Sequence, residues 1–360
     1  MTHRVFNFSA GPAQLPLPVM EQIQDEFLNY KGIGSSIIEI SHRSSEFKQV
    51  LEECSDVFKR LVNLPRNYHV IYVHGGARMQ FAAIPLNLMD RLPSGRTQYI
   101  VTGQFAKLAA KDAEAFGKVA VIQGQDFASV PSVSLDDIDQ QASYVHMTAN
   151  NTVFGTQWKA FPQTGDVPLV ADCTSEILSR PLDYTQFGVV YAGLQKNLGP
   201  SGMAMVVIRD DLLGHCRPEA PGLLQYRRLV EDQSLTNTTN TFAIYTLGLV
   251  LKWVQSEGGV EAFEVRNQEK AQILYDFIDG SGFYLPHAAK DCRSTMNVTF
   301  KLRDESLEER FLEEAKAGGF VGLKGHRALG GMRASIYNAM PKAGVEQLMS
   351  FMAEFERRFG

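Results

Sequence analysis

The sequence predicts an α/β fold: a large domain on a mainly parallel seven-stranded sheet with one antiparallel strand, flanked by helices, plus a smaller α+β C-terminal domain. From about residue 16 to 265, short apolar runs alternate with amphipathic stretches long enough to serve as crossover helices, the pattern of a parallel sheet. Beyond Glu257-Gly258-Gly259, a long polar helical stretch at 260–278 leads into a region with strand candidates near 294–301 and 333–335. The expected division is 16–265 for the large domain, with 1–15 and 266–360 forming the small one.

The strands of the large domain are expected at 69–73, 98–101, 119–122, 144–148, 167–171, 188–191 and 203–208, with helical patterns such as 78–88 and 105–116 between them. Only the last connection is short. Residues 197–202 leave no room for a crossover, so the strand after them is expected to run antiparallel to its neighbour.

At 360 residues, 44% hydrophobic and 21% charged, the chain is long enough to bury about three quarters of its unfolded surface. A net charge of −5 argues against nucleic acid or an anionic membrane as partner and favours a small molecule. The opening MTHRVFNFSAGP lacks an apolar signal-type run, and the longest apolar stretch, 242–254, is interrupted by Thr246, Gly248 and Lys252. A cytoplasmic protein is expected. Cys54, Cys173, Cys216 and Cys292 lie far apart without a CxxC, and His69, His146, His215 and His287 lack ligand spacing, so no metal site or disulfide framework is expected.

The chemistry begins at Lys196, placed where the apolar run ending at Tyr191 gives way to the Gly/Pro turn of AGLQKNLGPSG. Twenty-four residues earlier another apolar run ends on Asp172. An amine and a carboxylate at the carboxyl ends of two nearby strands suit pyridoxal 5′-phosphate (PLP), while a surface lysine and a strand-ending aspartate also occur in α/β proteins without this chemistry. The amine holds the cofactor as a Schiff base and the carboxylate keeps the pyridine nitrogen protonated.

Other loops supply anion-binding chemistry. His74-Gly75-Gly76-Ala77-Arg78 ends a strand and opens a helix, offering backbone N–H groups to a phosphate or simply making a tight turn. Two His-Arg pairs, His42-Arg43 and His326-Arg327, together with Arg333, point to a substrate with two anionic ends, the alternatives being a solvated loop for the first pair and a nucleic-acid patch for the second loop. Segments 148–152 and 236–241 offer hydroxyls and amides, either to ligand oxygens or as ordinary helix caps.

The strings FNFSAGPAQLP, SHRS, GGARMQF, NNTVFGTQ, VADCTSEILSRP, YAGLQKNLGPSG and GHRALGGMRASIYNAM together resemble the phosphoserine aminotransferases, a class V aminotransferase family among the fold-type I PLP enzymes. The similarity spans the whole chain. It implies that Lys196 carries PLP, that Asp172 holds the pyridine nitrogen, that Ala77 and Arg78 give backbone N–H groups and Gln195 its side chain to the cofactor phosphate, and that Thr152 lies against the 3′-oxygen. Asn237 and Thr238 would reach the cofactor phosphate of the neighbouring subunit, which makes a homodimer the smallest complete unit. Arg333 would fork the α-carboxylate, and His42 with Arg43 would grip the phosphate or γ-carboxylate tail. His326 and Arg327 would come from the partner. Phe105 stands where the family commonly stacks a tryptophan on the pyridine ring, and the loop usually written NTPPTF reads NTTNTF at 237–242, without prolines.

The implied reaction is ping-pong transfer of an amino group between L-glutamate and 3-phosphohydroxypyruvate, giving O-phospho-L-serine and 2-oxoglutarate in serine biosynthesis. The resemblance also implies action on 4-phosphohydroxythreonine in pyridoxine biosynthesis. Rival readings are another class V aminotransferase of the alanine/serine–glyoxylate type, which has little use for two His-Arg pairs, and a PLP-binding protein without turnover. A cysteine desulfurase is disfavoured because 324–331 contains no cysteine.

Overall fold

The computed structural model describes residues 4–124 and 126–360. Its main sheet has seven strands, in spatial order Tyr68–His74, Met203–Arg209, Val189–Gly193, Leu169–Asp172, Val145–Thr148, Arg96–Val101 and Lys118–Gln123. All seven expected strands are present. Met203–Arg209 is antiparallel to both neighbours, as the short 197–202 connection requires, and the pairings from Val189–Gly193 onward are parallel.

Side-chain alternation divides the sheet between two cores. Val190, Ala192, Met203, Met205 and Val207 face one of them, where the helices Ser45–Leu61 and Thr241–Ser256 pack. Val189, Tyr191, Ala204, Val206 and Ile208 face the other, under Gly76–Leu88 and Gln104–Ala113. Ser45–Leu61 is amphipathic: Phe47, Val50, Leu51, Cys54, Val57 and Phe58 are buried at helical spacing. Ser44 starts it by accepting the Phe47 N–H at 3.2 Å. Thr241–Ser256 is apolar nearly all round because it is covered on most sides, and the same accounting explains why its hydropathy does not mark a membrane span. No helix among the described residues is long and apolar enough to cross a membrane.

A third core lies in the C-terminal part, around the antiparallel sheet Tyr284–Pro286, Asn297–Leu302 and Met332–Ser335. The N-terminal strand Phe6–Asn7 joins it by pairing with Phe320–Val321. Helix Gly259–Gly280 runs unbroken through position 265, with Val260 and Phe263 in the first core and Ala271, Leu274 and Ile278 in the third. One helix therefore serves two cores.

Candidate active site

Asp172 and Lys196 come from adjacent parallel strands: Asp172 ends Leu169–Asp172, and Lys196 follows three residues after Val189–Gly193. Parallel neighbours point their carboxyl ends the same way, so acid and amine meet at one rim of the sheet. The Lys196 amine donates to Thr152 Oγ1 at 2.5 Å and lies 5.8 Å from the Phe105 ring centroid. Burial pulls its pKa down to about 8, with Asp172 opposing the fall and Arg333 reinforcing it. A free amine is thus accessible near neutral pH.

Burial raises the Asp172 pKa, opposed by hydrogen bonds from Thr174, then by the Lys196 charge and the Tyr191 hydroxyl. The Thr174 N–H donates to Asp172 Oδ1 at 2.9 Å. Behind it, Tyr191 OH lies 2.9 Å from His146 Nε2, and burial drives the imidazole down to about 3. His146 is therefore neutral.

Facing this pair, the helix Gly76–Leu88 begins at Gly75 and Gly76, whose φ of +87° and +62° favour glycine. No side chain caps it, so its first N–H groups are free of such a partner. The Arg78 guanidinium is engaged by Asp112 at 3.0 Å and lies over Phe81, which leaves its backbone N–H as the group available to an anion. A Cβ at Gly193 would sit 3.2 Å from Ala77 N and collide with Gln195 Oε1. Glycine there keeps the cradle open. The Gly75 N–H bonds Gly202 O at 3.0 Å, tying this turn to the one that carries Lys196.

Arg333, on Met332–Ser335, reaches Thr152 O with Nη1 at 3.5 Å, and its buried Nε has no partner. Burial lowers its pKa, and it makes no ion pair among the described residues. Such a guanidinium fits a ligand carboxylate, which would supply the missing acceptors. His326 lies within the field of Arg333 and Arg327, which after burial depress its pKa.

The structure thus brings Lys196, Asp172, Thr152, Phe105 and Arg333 together, with Ala77, Arg78 and Gln195 beside them. No hydrogen bond among the described residues links Asn237, Thr238, His42 or Arg43 to Lys196, Thr152 or Arg333. Asn237 is half-buried and Thr238 exposed, in the loop before Asn240, which caps Thr241–Ser256 through the Ala243 N–H at 3.0 Å. Capping is therefore one role of this segment. The 37–43 loop is tied to the same helix start, where Thr241 Oγ1 donates to Ile37 O at 3.0 Å. In that loop His42 is buried with Nε2 unpaired, and Arg43 is exposed.

The model for class-V aminotransferases matches residues 5–348. A phosphoserine aminotransferase from Geobacillus kaustophilus is 51% identical, covering 99% of both chains. The chain belongs to the phosphoserine aminotransferase family.

It is accordingly a transaminase, and the family's architecture is reproduced closely. The solved phosphoserine aminotransferase from Bacillus circulans subsp. alkalophilus superposes with a TM-score of 0.96 at 44% identity, with both chains fully covered. A PLP-bound phosphoserine aminotransferase from Trichomonas vaginalis gives 0.92 at 34% identity, covering 97% of this chain and 100% of that one.

Sequence reasoning missed three polar residues behind the site, Ser175, Asn297 and Ser294, and offered Asn150 only as part of the 148–152 donor segment; all four are at most 3% exposed. Asn150 lies inside the motif NNTVFGTQ and Ser175 inside VADCTSEILSRP, but nothing in their spacing marks them as partners.

Proposed function

We propose that this phosphoserine aminotransferase carries PLP on Lys196 and moves the amino group of L-glutamate to 3-phosphohydroxypyruvate, yielding O-phospho-L-serine and 2-oxoglutarate for serine biosynthesis. The observation that carries the reading is the buried Lys196 amine on Thr152, with Asp172 on the adjacent strand and Arg333 nearby without a counter-charge. PLP bound here would supply an electron sink to the substrate α-carbon.

The residues fit that group. Buried Asp172 can receive a pyridinium N–H, the uncapped N–H groups of Ala77 and Arg78 with Gln195 can take the phosphate, and Phe105 can lie against the ring. Arg333 binds and orients the α-carboxylate. With PLP bound, the Lys196 amine, its pKa pulled down to about 8, would be the group placed to take the α-proton as a general base. His42-Arg43 and His326-Arg327 hold the anionic tail shared by glutamate and phosphoserine, so one basic pocket serves both half-reactions. In a homodimer, Asn237 and Thr238 reach the neighbouring subunit's phosphate site, and His326 and Arg327 are supplied across the interface.

A coupled assay comparing 3-phosphohydroxypyruvate with hydroxypyruvate as acceptor tests the substrate class. A strong preference for the phosphorylated acceptor is expected; equal rates would refute the tail-binding pocket. Mixing Lys196→Ala with Arg327→Ala subunits tests the shared site. Partial recovery of activity is expected, and none after verified subunit exchange would place Arg327 within its own chain's site.

A further inference from the structure

Behind Lys196 lies a chain of buried polar groups in which the direction of every hydrogen bond is fixed. It starts at Ser294, whose Oγ accepts the N–H groups of Met296 at 3.0 Å and Asn297 at 2.9 Å. Both lone pairs are then used, so its single hydrogen goes to Asn150 Oδ1 at 2.5 Å. That contact orients the Asn150 amide, whose Nδ2 donates to Asn297 Oδ1 at 2.8 Å and to Ser175 Oγ at 2.9 Å.

Ser175 is saturated in the same way. Its hydrogen is committed to Asn150 O at 2.9 Å, and one lone pair is taken by the Asn150 amide. It can meet Thr152 Oγ1, 3.0 Å away, only as an acceptor. The Thr152 hydrogen therefore points away from Lys196, and only its lone pairs face the amine at 2.5 Å. All these side chains are buried, so bulk water does not offer an alternative partner.

We propose that Ser175 is a positioning residue, which holds the Thr152 hydroxyl as a pure hydrogen-bond acceptor toward Lys196, and that Ser294 sets this polarity from the loop that leads into the strand Asn297–Leu302. An acceptor-only neighbour favours the ammonium form of the amine. Once Ser175 is removed, the Thr152 hydroxyl is free to rotate and donate to the lone pair of the neutral amine. The remaining charged groups facing Lys196, Asp172 on the neighbouring strand and Arg333 on the small sheet, are untouched by that change. The inference rests on the reading of Lys196 as the cofactor lysine.

The test is competitive labelling of the full-length, cofactor-free protein with acetic anhydride, followed by peptide mass spectrometry across pH 6–10. The reagent acetylates the neutral amine, forming an amide and releasing acetate, so the labelling midpoint reports the proton affinity of Lys196. In Ser175→Ala the midpoint is expected to fall by about half a unit, making labelling at pH 7 about two- to threefold faster, the scale of one redirected hydrogen bond. Ser294→Ala, remote from the amine, is expected to shift it in the same direction by less and guards against misfolding of the first variant. A lowered melting temperature with an unmoved midpoint in both variants overturns the role of Ser175. Labelling of the wild-type lysine that PLP fails to suppress overturns instead the cofactor-lysine reading on which the proposal stands.

Discussion

Lys196 and Lys270 are both buried lysines, 9% and 3% exposed, and they differ in what their amines touch. Lys270 donates to three backbone carbonyls, Ile336 O at 2.9 Å, Tyr337 O at 2.8 Å and Met340 O at 3.1 Å. All three ammonium hydrogens are used, and the segment after Arg333 is pinned to helix Gly259–Gly280. Lys196 has a single side-chain acceptor in Thr152. Burial lowers both, to about 7 for Lys270 and about 8 for Lys196, so depressed basicity alone does not distinguish the amine proposed to hold the cofactor. What separates them is hydrogen-bonding capacity, spent on three carbonyls at Lys270 and on Thr152 alone at Lys196.

Replacing each lysine should separate chemistry from structure. Lys196→Ala is expected to lower turnover by at least about 10³-fold, the scale of losing a general base together with the covalent anchor, while thermal stability is kept. Wild-type-like turnover in that variant would remove the assigned base. Arg333→Gln comes next, with kcat/KM falling about 10²-fold for glutamate and phosphoserine alike, because both present an α-carboxylate. Arg43→Ala should instead penalise substrates with an anionic tail and spare alanine. Equal losses on alanine and phosphoserine would contradict the division of labour between the two arginines.

Lys270→Met sharpens the comparison from the structural side. It leaves three carbonyls without a donor and should cost about 3 kcal/mol in urea-induced unfolding, with the Lys196 chemistry intact. The finest test is its pH dependence. The folded-state pKa of Lys270 is about 7 against 10.5 for an unperturbed lysine, so between these values the unfolded chain binds more protons and stability rises with pH. The stability difference between wild type and Lys270→Met should therefore grow in favour of wild type above pH 7, by at most about 1.4 kcal/mol per unit. A flat difference would show that the three carbonyls keep the amine charged throughout.

Much of this was legible in the sequence where local period carries the information. The strand runs before Asp172 and Lys196 locate both residues at carboxyl ends, and the short 197–202 link predicts the antiparallel strand observed. Gly75 and Gly76 likewise announce the turn that opens helix Gly76–Leu88. Ser175 and Lys270 were not legible. Serine in a loop and lysine on a polar helix are ordinary there, and their meaning depends on partners elsewhere in the chain.

The sequence by itself determined the succession of strands along the chain, the helices between them and the chemical identity of the groups at the sheet rim, since side-chain periodicity and turn residues act over a few positions. Tertiary structure alone decided that Arg333 has no counter-charge, that Lys270 is saturated, and that the Thr152 hydroxyl faces Lys196 with its lone pairs. Whether a buried polar atom is satisfied depends on groups such as Asn150 and Asn297, 147 positions apart, which only packing brings within 2.8 Å.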